Sequence, residues 1–244
     1  MLETAVAAFR SLLTYVVILL YIAAAAPLAL VVGILLRWKR GVYALGHGGV
    51  WLALTLSGIR YRVTGREHVP ARSVVFCSNH ESNVDPPVLF ETLHPQLHIL
   101  YKAELHNFPL MGTVFDVGGF VAVDRSDREK AMASIADGAR SLQAGNSFLI
   151  FPEGTRSRSG ALLPFKKGGF IMAIQAQAPI VPVAVRGGRD AMRKGSRIVR
   201  PVQVSVRVGE PIPTTGMTLE DRDVLIDRVR AEVQKLLDEG SVWT

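Results

Sequence analysis

The amino-acid sequence predicts an α/β fold, with a central mixed sheet flanked by helices and an N-terminal hydrophobic helical membrane anchor. The chain has 244 residues, which is long enough to bury a core without disulfides or metals. Its charged residues amount to 20%, whereas a soluble domain usually carries about 25%. From residue 60 onward, short β-branched runs alternate with stretches of helical periodicity, which is typical of an α/β domain.

Composition limits the possible sites and partners. The single cysteine excludes an intrachain disulfide framework and any multi-cysteine zinc or iron–sulfur site. The 28 Lys and Arg residues outnumber the 21 Asp and Glu residues, which favours an anionic partner such as an acidic lipid surface or a phosphorylated substrate. Aromatic residues make up only 7% and do not interleave with the basic ones, so we expect no nucleic-acid partner.

Residues 1–40 are predicted to form the membrane anchor. Residues 11–36 carry no charge, and as a helix they would reach about 39 Å, against a hydrocarbon core of about 30 Å. Pro27 interrupts the helical hydrogen bonds, which allows either a kinked span or a wedge of two shorter helices. A cleaved signal peptide is less favoured, because the apolar run continues beyond Pro27. The basic and aromatic residues 37–40 predict a protein of the cell (inner) membrane with the rest of its chain on the cytoplasmic face.

Residues 41–59 are predicted to be an interfacial apolar segment. Five glycines make this stretch a poor helix, and only its middle, residues 50–56, is expected to be helical. Residues 60–244 are predicted to form one cytosolic α/β domain. Its strands are expected at residues 61–64, 73–77, 97–101, 120–123, 147–151, 180–185 and 202–208. Its helices are expected at residues 86–93, 128–143, 168–177 and 218–239.

The first candidate site is the run NHESNVD, residues 79–85, which follows a predicted strand. Asp85 precedes a proline, which predicts that it caps the next helix and leaves His80 in the loop before it. In such a loop the two side chains can meet. The carboxylate would then orient the imidazole, whose other nitrogen could act as a general base. From this spacing alone, a hydrogen-bonded loop histidine beside a helix cap is the simpler interpretation.

The second candidate site is the run FPEGTRSRSG, residues 151–160, which also follows a predicted strand. Its glycines, hydroxyls and two arginines suit a phosphate monoester, since guanidinium groups bind phosphate oxygens in pairs. Lys166 and Lys167 follow, and then two glycines open a helix whose N-terminus favours anions. At this point a solvated basic loop remains the alternative.

Four motifs together resemble those of the glycerolipid acyltransferases. NHESNVD is similar to the NHxxxxD motif of that family, and FPEGTRS is similar to its third motif. GGFVAVDR, residues 118–125, and APIVPVAV, residues 178–185, resemble the second and the fourth. The resemblance covers roughly residues 65–195, in family order, and is nearest to the lysophosphatidic acid acyltransferases (1-acyl-sn-glycerol-3-phosphate O-acyltransferases).

The resemblance implies a reaction and a set of site residues. His80 would deprotonate the 2-hydroxyl of lysophosphatidate, with Asp85 orienting it. An acyl-CoA or acyl carrier protein thioester would be attacked directly, which yields phosphatidate for phospholipid biosynthesis. We therefore expect membrane lipids as partners, and neither a cofactor nor a metal. The residues implied to hold the glycerol phosphate are Lys102, Arg125, Glu153, Gly154, Thr155 and Arg156.

Several assignments stay open at this stage. Asn79 either donates to the developing oxyanion or braces the turn, and Lys167 could support phosphate binding. Cys77 could be a nucleophile, but at the end of an apolar strand a buried small hydrophobe is favoured. The alternative functions are acylation of another lysolipid or of glycerol 3-phosphate, and non-enzymatic binding of a lipid phosphate. A hydrolase is disfavoured, since the chain has no Gly-x-Ser-x-Gly sequence. The acyl chains would need an apolar groove near residues 41–59.

Overall fold

A computed structural model of the protein describes residues 2–107, 111–124 and 127–243. In these residues, seven strands form one sheet in the order β1-β7-β6-β2-β5-β3-β4. Strands β6 and β7 are antiparallel and the other neighbouring pairs are parallel, so the sheet is mixed, as predicted. The strands are β1 (Arg60–Thr64), β2 (Val75–Ser78), β3 (Leu97–Lys102), β4 (Val121–Val123), β5 (Ser147–Ile150), β6 (Ile180–Arg186) and β7 (Gln203–Val208).

Helices cover both faces of the sheet. They are α1 (Leu2–Leu30), α2 (Lys39–Ser57), α3 (Asp85–Leu93), α4 (Met111–Gly118), α5 (Arg128–Gln143), α6 (Gly168–Ala176), α7 (Gly188–Ala191) and α8 (Arg222–Asp238). Side chains of α5, α6 and α8 pack on one face, and those of α2 and α3 on the other. Because side chains alternate along a strand, Cys77 joins the first core and Phe76 the second.

The predicted strands and the four predicted cytosolic helices all occur, with ends that differ by up to four residues. Helices α4 and α7 are additional. Helix α7 is a single turn that begins at Gly188, and so short a segment has too few residues to show helical periodicity.

The N-terminal helix does not divide into two at Pro27, although a division there was one of the two arrangements that the sequence left open. Helix α1 runs through Pro27 to Leu30 and continues as a π-helical turn, Val31–Leu35. The chain reverses only after that turn, where Arg37 has a left-handed φ of 50°. A proline removes a single hydrogen bond, and here the helix packs along α2, which offsets that loss.

Helix α2 is longer than predicted, because its glycines lie where other side chains need room. It spans nineteen residues rather than the expected short stretch from residue 50 to 56. The Tyr21 ring packs against Gly48 and Gly49, where a Cβ would come within 2.8 Å of it. The Tyr21 hydroxyl also donates to the Leu45 carbonyl at 2.7 Å. Tertiary packing therefore overrides the low helix propensity of glycine.

Helix α1 lies along the side of the α/β domain and exposes an apolar surface. Near its start, Ser11 exchanges hydrogen bonds with the backbone of Val199, at 2.8 and 3.2 Å. About 33 Å further along, at 1.5 Å per residue, Gly33 packs against Val117 of α4. Among the described helices, the stretch Thr4–Leu35 alone is long and apolar enough to cross a membrane, and only 11% of its most apolar part is buried. This exposed apolar helix indicates membrane association.

We expect the double substitution Leu19→Asp and Leu20→Asp to release the protein from vesicles. Both leucines are 67% exposed on α1, and an aspartate costs roughly 3 kcal/mol in the apolar part of a bilayer. Co-sedimentation with anionic phospholipid vesicles measures the bound fraction. Val224→Asp is the matched control, because Val224 is equally exposed but lies on α8. Equal binding by the double variant and the control would contradict the assignment of α1 as the membrane-associated surface.

Candidate active site

Both predicted loops lie at the same edge of the sheet. Strands β6, β2, β5, β3 and β4 are adjacent and parallel, so their carboxyl ends meet at that edge. The loop 79–85 follows β2, and the loop 151–160 follows β5, the neighbour of β2. In open α/β sheets, the crevice at the carboxyl ends of the strands is where ligands bind. The sheet order therefore brings together two loops that are about seventy residues apart in the chain.

His80 and Asp85 are in contact, as the resemblance implied. The Nδ1 of His80 lies 3.0 Å from Oδ2 of Asp85, and a carboxylate oxygen requires that the imidazole be the donor. The Asp85 side chain is fully buried, while that of His80 is 16% exposed. The His80 ring stacks on Phe151, with their centroids 4.2 Å apart. The imidazole is therefore held on one edge and one face, with part of its surface open to solvent.

The prediction that Asp85 caps helix α3 was wrong in its geometry. The helix begins at Asp85 itself, and no side-chain hydrogen bond caps its N-terminus. Oδ2 of Asp85 instead accepts the backbone N–H groups of Glu81 and Ser82, at 2.6 and 2.7 Å. The short loop thus folds back on the carboxylate, which gives His80 and Asp85 their contact across five residues.

Asn79 braces the loop. Its amide nitrogen donates to the carbonyl of Val185 at 2.8 Å, and its carbonyl oxygen accepts the N–H of Val185 at 2.7 Å. The side chain is 1% exposed. The sequence left two roles open for Asn79. Its contacts fit the bracing role, because both the nitrogen and the oxygen of its amide are hydrogen-bonded to β6.

Glu153 ties the two loops together. Its Oε1 accepts the N–H of His80 at 2.8 Å, and its Oε2 accepts the N–H of Leu163 at 3.0 Å. In return, Ser157 donates its N–H to the carbonyl of His80 at 2.7 Å. Burial raises the pKa of Glu153. Since both carboxylate oxygens face backbone donors, the observed contacts of Glu153 are bracing contacts.

The remaining predicted phosphate residues are spread along the edge. Gly154 adopts a left-handed φ of 67°, and Lys166 folds over it. Thr155 is exposed beside it, and Arg156 is half-buried. Two lysines are engaged elsewhere, since Lys102 pairs with Glu104 at 2.8 Å and Lys167 pairs with Asp223 of α8 at 3.5 Å. Arg125 lies outside the described residues.

Lys194 is a site residue that the sequence analysis missed. Its Nζ donates to the hydroxyl of Thr155 at 2.9 Å and to the carbonyl of Arg156 at 3.2 Å. It belongs to a loop that follows β6, the other neighbour of β2. The available signal was composition, since residues 186–200 contain six basic residues and one acidic residue. The predicted site thus gains a cation from the opposite side of the His80 loop.

An apolar groove is lined in part by the residues that follow Asp85 in the chain. It lies between α2, α3 and α4 and has a volume of about 320 Å³. Pro86 and Pro87 of α3 are among its lining residues. Its other walls include Tyr43, Gly46 and Phe90. This is an apolar groove in the region where the sequence analysis expected one.

Burial controls the ionisation of two further groups near the loop. Cys77 is fully buried, and burial raises the pKa of its thiol, which agrees with a packing role rather than a nucleophilic one. Burial, together with the nearby Asp85 carboxylate, raises the pKa of Glu81 to about 7, although Arg189 and Arg186 oppose that shift. Among the described residues, no group of three His, Cys, Asp or Glu side chains could hold a metal ion.

The fold and the site define an α/β enzyme with a histidine–carboxylate pair at the edge of its sheet. The family model described as Acyltransferase matches residues 60–186. The 1-acyl-sn-glycerol-3-phosphate acyltransferase of Limnanthes douglasii is 35% identical over 201 residues, which cover 80% of this chain and 70% of that protein. These matches show that the chain belongs to the acyltransferase family.

A second relative agrees with that assignment, and a solved structure agrees with the fold. The human 1-acyl-sn-glycerol-3-phosphate acyltransferase alpha is 37% identical over 188 residues, which cover 76% of this chain and 66% of the human protein. The crystal structure of the 1-acyl-sn-glycerophosphate (LPA) acyltransferase PlsC from Thermotoga maritima superposes with a TM-score of 0.82. It covers 95% of this chain and 94% of that one at 24% identity, and thus supports the fold.

We expect Glu81→Gln to stabilise the protein increasingly as the pH rises. Between pH 4.5 and about 7, the folded state holds a proton on Glu81 that the unfolded state has released. Wild-type stability therefore falls through this range, by up to about 3 kcal/mol from this group. Glutamine removes that penalty, so the Tm advantage of the variant should be larger at pH 8 than at pH 5. An equal Tm difference at both pH values would contradict the expectation.

Proposed function

We propose that the protein transfers an acyl group from a thioester to the 2-hydroxyl of lysophosphatidate, forming phosphatidate. The observation that carries this proposal is the contact between His80 and the buried Asp85, beside a loop rich in phosphate-binding groups. The relatives named 1-acyl-sn-glycerol-3-phosphate acyltransferases support the same reaction.

The proposed chemistry uses the second nitrogen of His80. Because Nδ1 donates to Asp85, Nε2 is the unprotonated nitrogen and can accept the hydroxyl proton as the new C–O bond forms. Asp85 stabilises the resulting imidazolium. The tetrahedral intermediate then expels the thiolate, and the imidazolium returns the proton to it as a thiol. The reaction needs neither an acyl-enzyme nor a metal.

The phosphate would bind at the loop after β5. Gly154 brings backbone close to the ligand, Arg156 supplies a guanidinium, and Lys194 reaches the same loop from the other side. Lys102, the last residue of β3, lies at the same edge, and we propose that it adds charge there although it now pairs with Glu104. Arg125, which lies outside the described residues, is proposed from its motif to bind the phosphate as well. Glu153 would position the loop rather than contact the anion.

The membrane would present both substrates to the site. The lining of the apolar groove includes Pro86, which follows Asp85 in the chain, and we propose that the groove accepts an acyl chain. Helix α1 contacts the domain at both ends, which favours insertion along one leaflet over a span that projects away from the domain. The basic residues 37–40 support a cytoplasmic-face location at the inner membrane. The acyl donor would be acyl-CoA or acyl carrier protein.

The test is a reconstituted assay with labelled acyl-CoA or acyl carrier protein thioester and a panel of acceptors. We expect phosphatidate from lysophosphatidate, and little product from glycerol 3-phosphate or zwitterionic lysolipids. His80→Ala and Asp85→Ala should each reduce the rate by about 10²-fold or more, since they remove the base or its orienting partner. His68→Gln is the matched control, because His68 lies after β1, away from the site. A wild-type rate in His80→Ala would refute the proposed mechanism.

The groove assignment has its own test. Gly46 lies in its wall, and a Cβ there would stand 3.6 Å from Phe90, so Gly46→Leu should fill part of the groove. We expect the rate with long-chain donors to fall at least about tenfold more than the rate with short-chain donors, because the side chain occupies space that only a long chain needs. Short-chain donors are the internal control. An equal loss for both chain lengths would contradict this assignment.

A further inference from the structure

The turn of residues 82–85 packs against the short helix α7. The hydroxyl of Ser82 donates to the carbonyl of Met192 at 2.9 Å. Gly188, the first residue of α7, is buried against the same turn. A Cβ built on Gly188 would stand 2.1 Å from Oδ1 of Asp85 and 3.2 Å from Cβ of Ser82. The first distance is far below any van der Waals contact, so no other residue fits at position 188 without moving Asp85 or α7.

The two oxygens of Asp85 are held in different ways. Oδ2 accepts three hydrogen bonds, from His80 and from the N–H groups of Glu81 and Ser82. No described residue donates to Oδ1, although this atom is buried. The position of Oδ1 is therefore set by packing, and Gly188 is the surface against which it packs.

Helix α7 cannot easily yield to a larger residue. The N–H of Met192 donates to the carbonyl of Gly188 at 3.1 Å, and that of Asp190 donates to Gly187 at 3.2 Å. Gly187 has a φ of 98°, and a Cβ there would stand 2.4 Å from the carbonyl oxygen of Gln203 in β7. Ala191, at the other end of the helix, is fully buried. A methyl group at position 188 would therefore displace the carboxylate rather than the helix.

We propose that Gly188 is a positioning residue for the acyl transfer. Because Gly188 has no side chain, Oδ1 of Asp85 can pack against α7. This packing keeps Oδ2 within hydrogen-bond distance of Nδ1 of His80. This inference rests on the proposed roles of His80 and Asp85. A shift of about 1 Å in a catalytic group can reduce a rate about 10²-fold, so the absence of one methyl group has a large effect here.

The first test compares Gly188→Ala with the wild type. We expect kcat to fall at least about tenfold while KM for lysophosphatidate changes less than about threefold, because the phosphate loop is untouched. A kcat within twofold of the wild type would overturn the proposal.

The second test separates positioning from general folding. Alanine at position 85 removes the oxygen with which the new methyl collides. In the Asp85→Ala background, Gly188→Ala should therefore lower the residual rate by less than about twofold and leave Tm unchanged. If Gly188→Ala alone fails to fold, the double variant should still fold and have the same Tm as Asp85→Ala. The proposal would be overturned if the rate losses of the two single substitutions multiplied in the double variant, or if the double variant did not fold.

Gly209→Ala is the matched control. Its new methyl would stand 3.0 Å from Cδ1 of Leu236 and 3.2 Å from Cγ of Pro182, so it is also crowded but lies away from the His80 loop. We expect it to alter Tm without changing kcat. If His80→Ala and Asp85→Ala retain activity, the proposed function fails. If they lose activity and Gly188→Ala does not, only the present inference fails.

Discussion

The contact between His80 and Asp85 depends on a buried carboxylate around which a five-residue loop closes. Oδ2 of Asp85 accepts hydrogen bonds from the imidazole and from two backbone N–H groups, so one atom sets both the loop conformation and the histidine orientation. Charge-assisted hydrogen bonds in a buried site are strong, and removal of the acceptor leaves its donors unpaired. The surrounding contacts preserve this arrangement, since Asn79 fixes the loop to β6 and Glu153 fixes it to the loop after β5.

Much of the architecture could be predicted, because the domain is built from strongly patterned elements. The seven strands are short apolar runs between turn residues, and helix α5 matches its prediction at both ends. At its N-terminus, the Asp127 side chain accepts two backbone N–H groups. Helix α2 could not be predicted in full, because Gly46, Gly48 and Gly49 are explained only by the Phe90 and Tyr21 rings that pack on them. Propensity describes a segment in isolation, whereas these contacts come from other parts of the chain.

The site was predictable in its chemistry but not in its assembly. Sequence motifs identified His80 and Asp85, while Asn79 and Glu153 could be assigned only once their hydrogen-bond partners were known. Gly188 carries no local signal, and the only signal for Lys194 is the basic composition of residues 186–200. They reach the site because β6 lies beside β2 in the sheet, although about a hundred residues separate the two strands in the chain. The order of strands in a sheet depends on contacts between distant parts of the chain, so it cannot be predicted from local patterns in one sequence.

Attachment of helix α1 at two distant points restricts how the domain can move relative to a lipid surface. A domain on a single flexible tether would tumble and present its crevice in every direction. Contacts near Ser11 and Gly33 instead fix the long axis of the helix to the domain, so a bilayer that takes up the helix also sets the tilt and height of the crevice. Orientational freedom is thereby lost before any ligand arrives, and a lipid headgroup that diffuses in the plane of the bilayer meets a crevice whose orientation is already fixed.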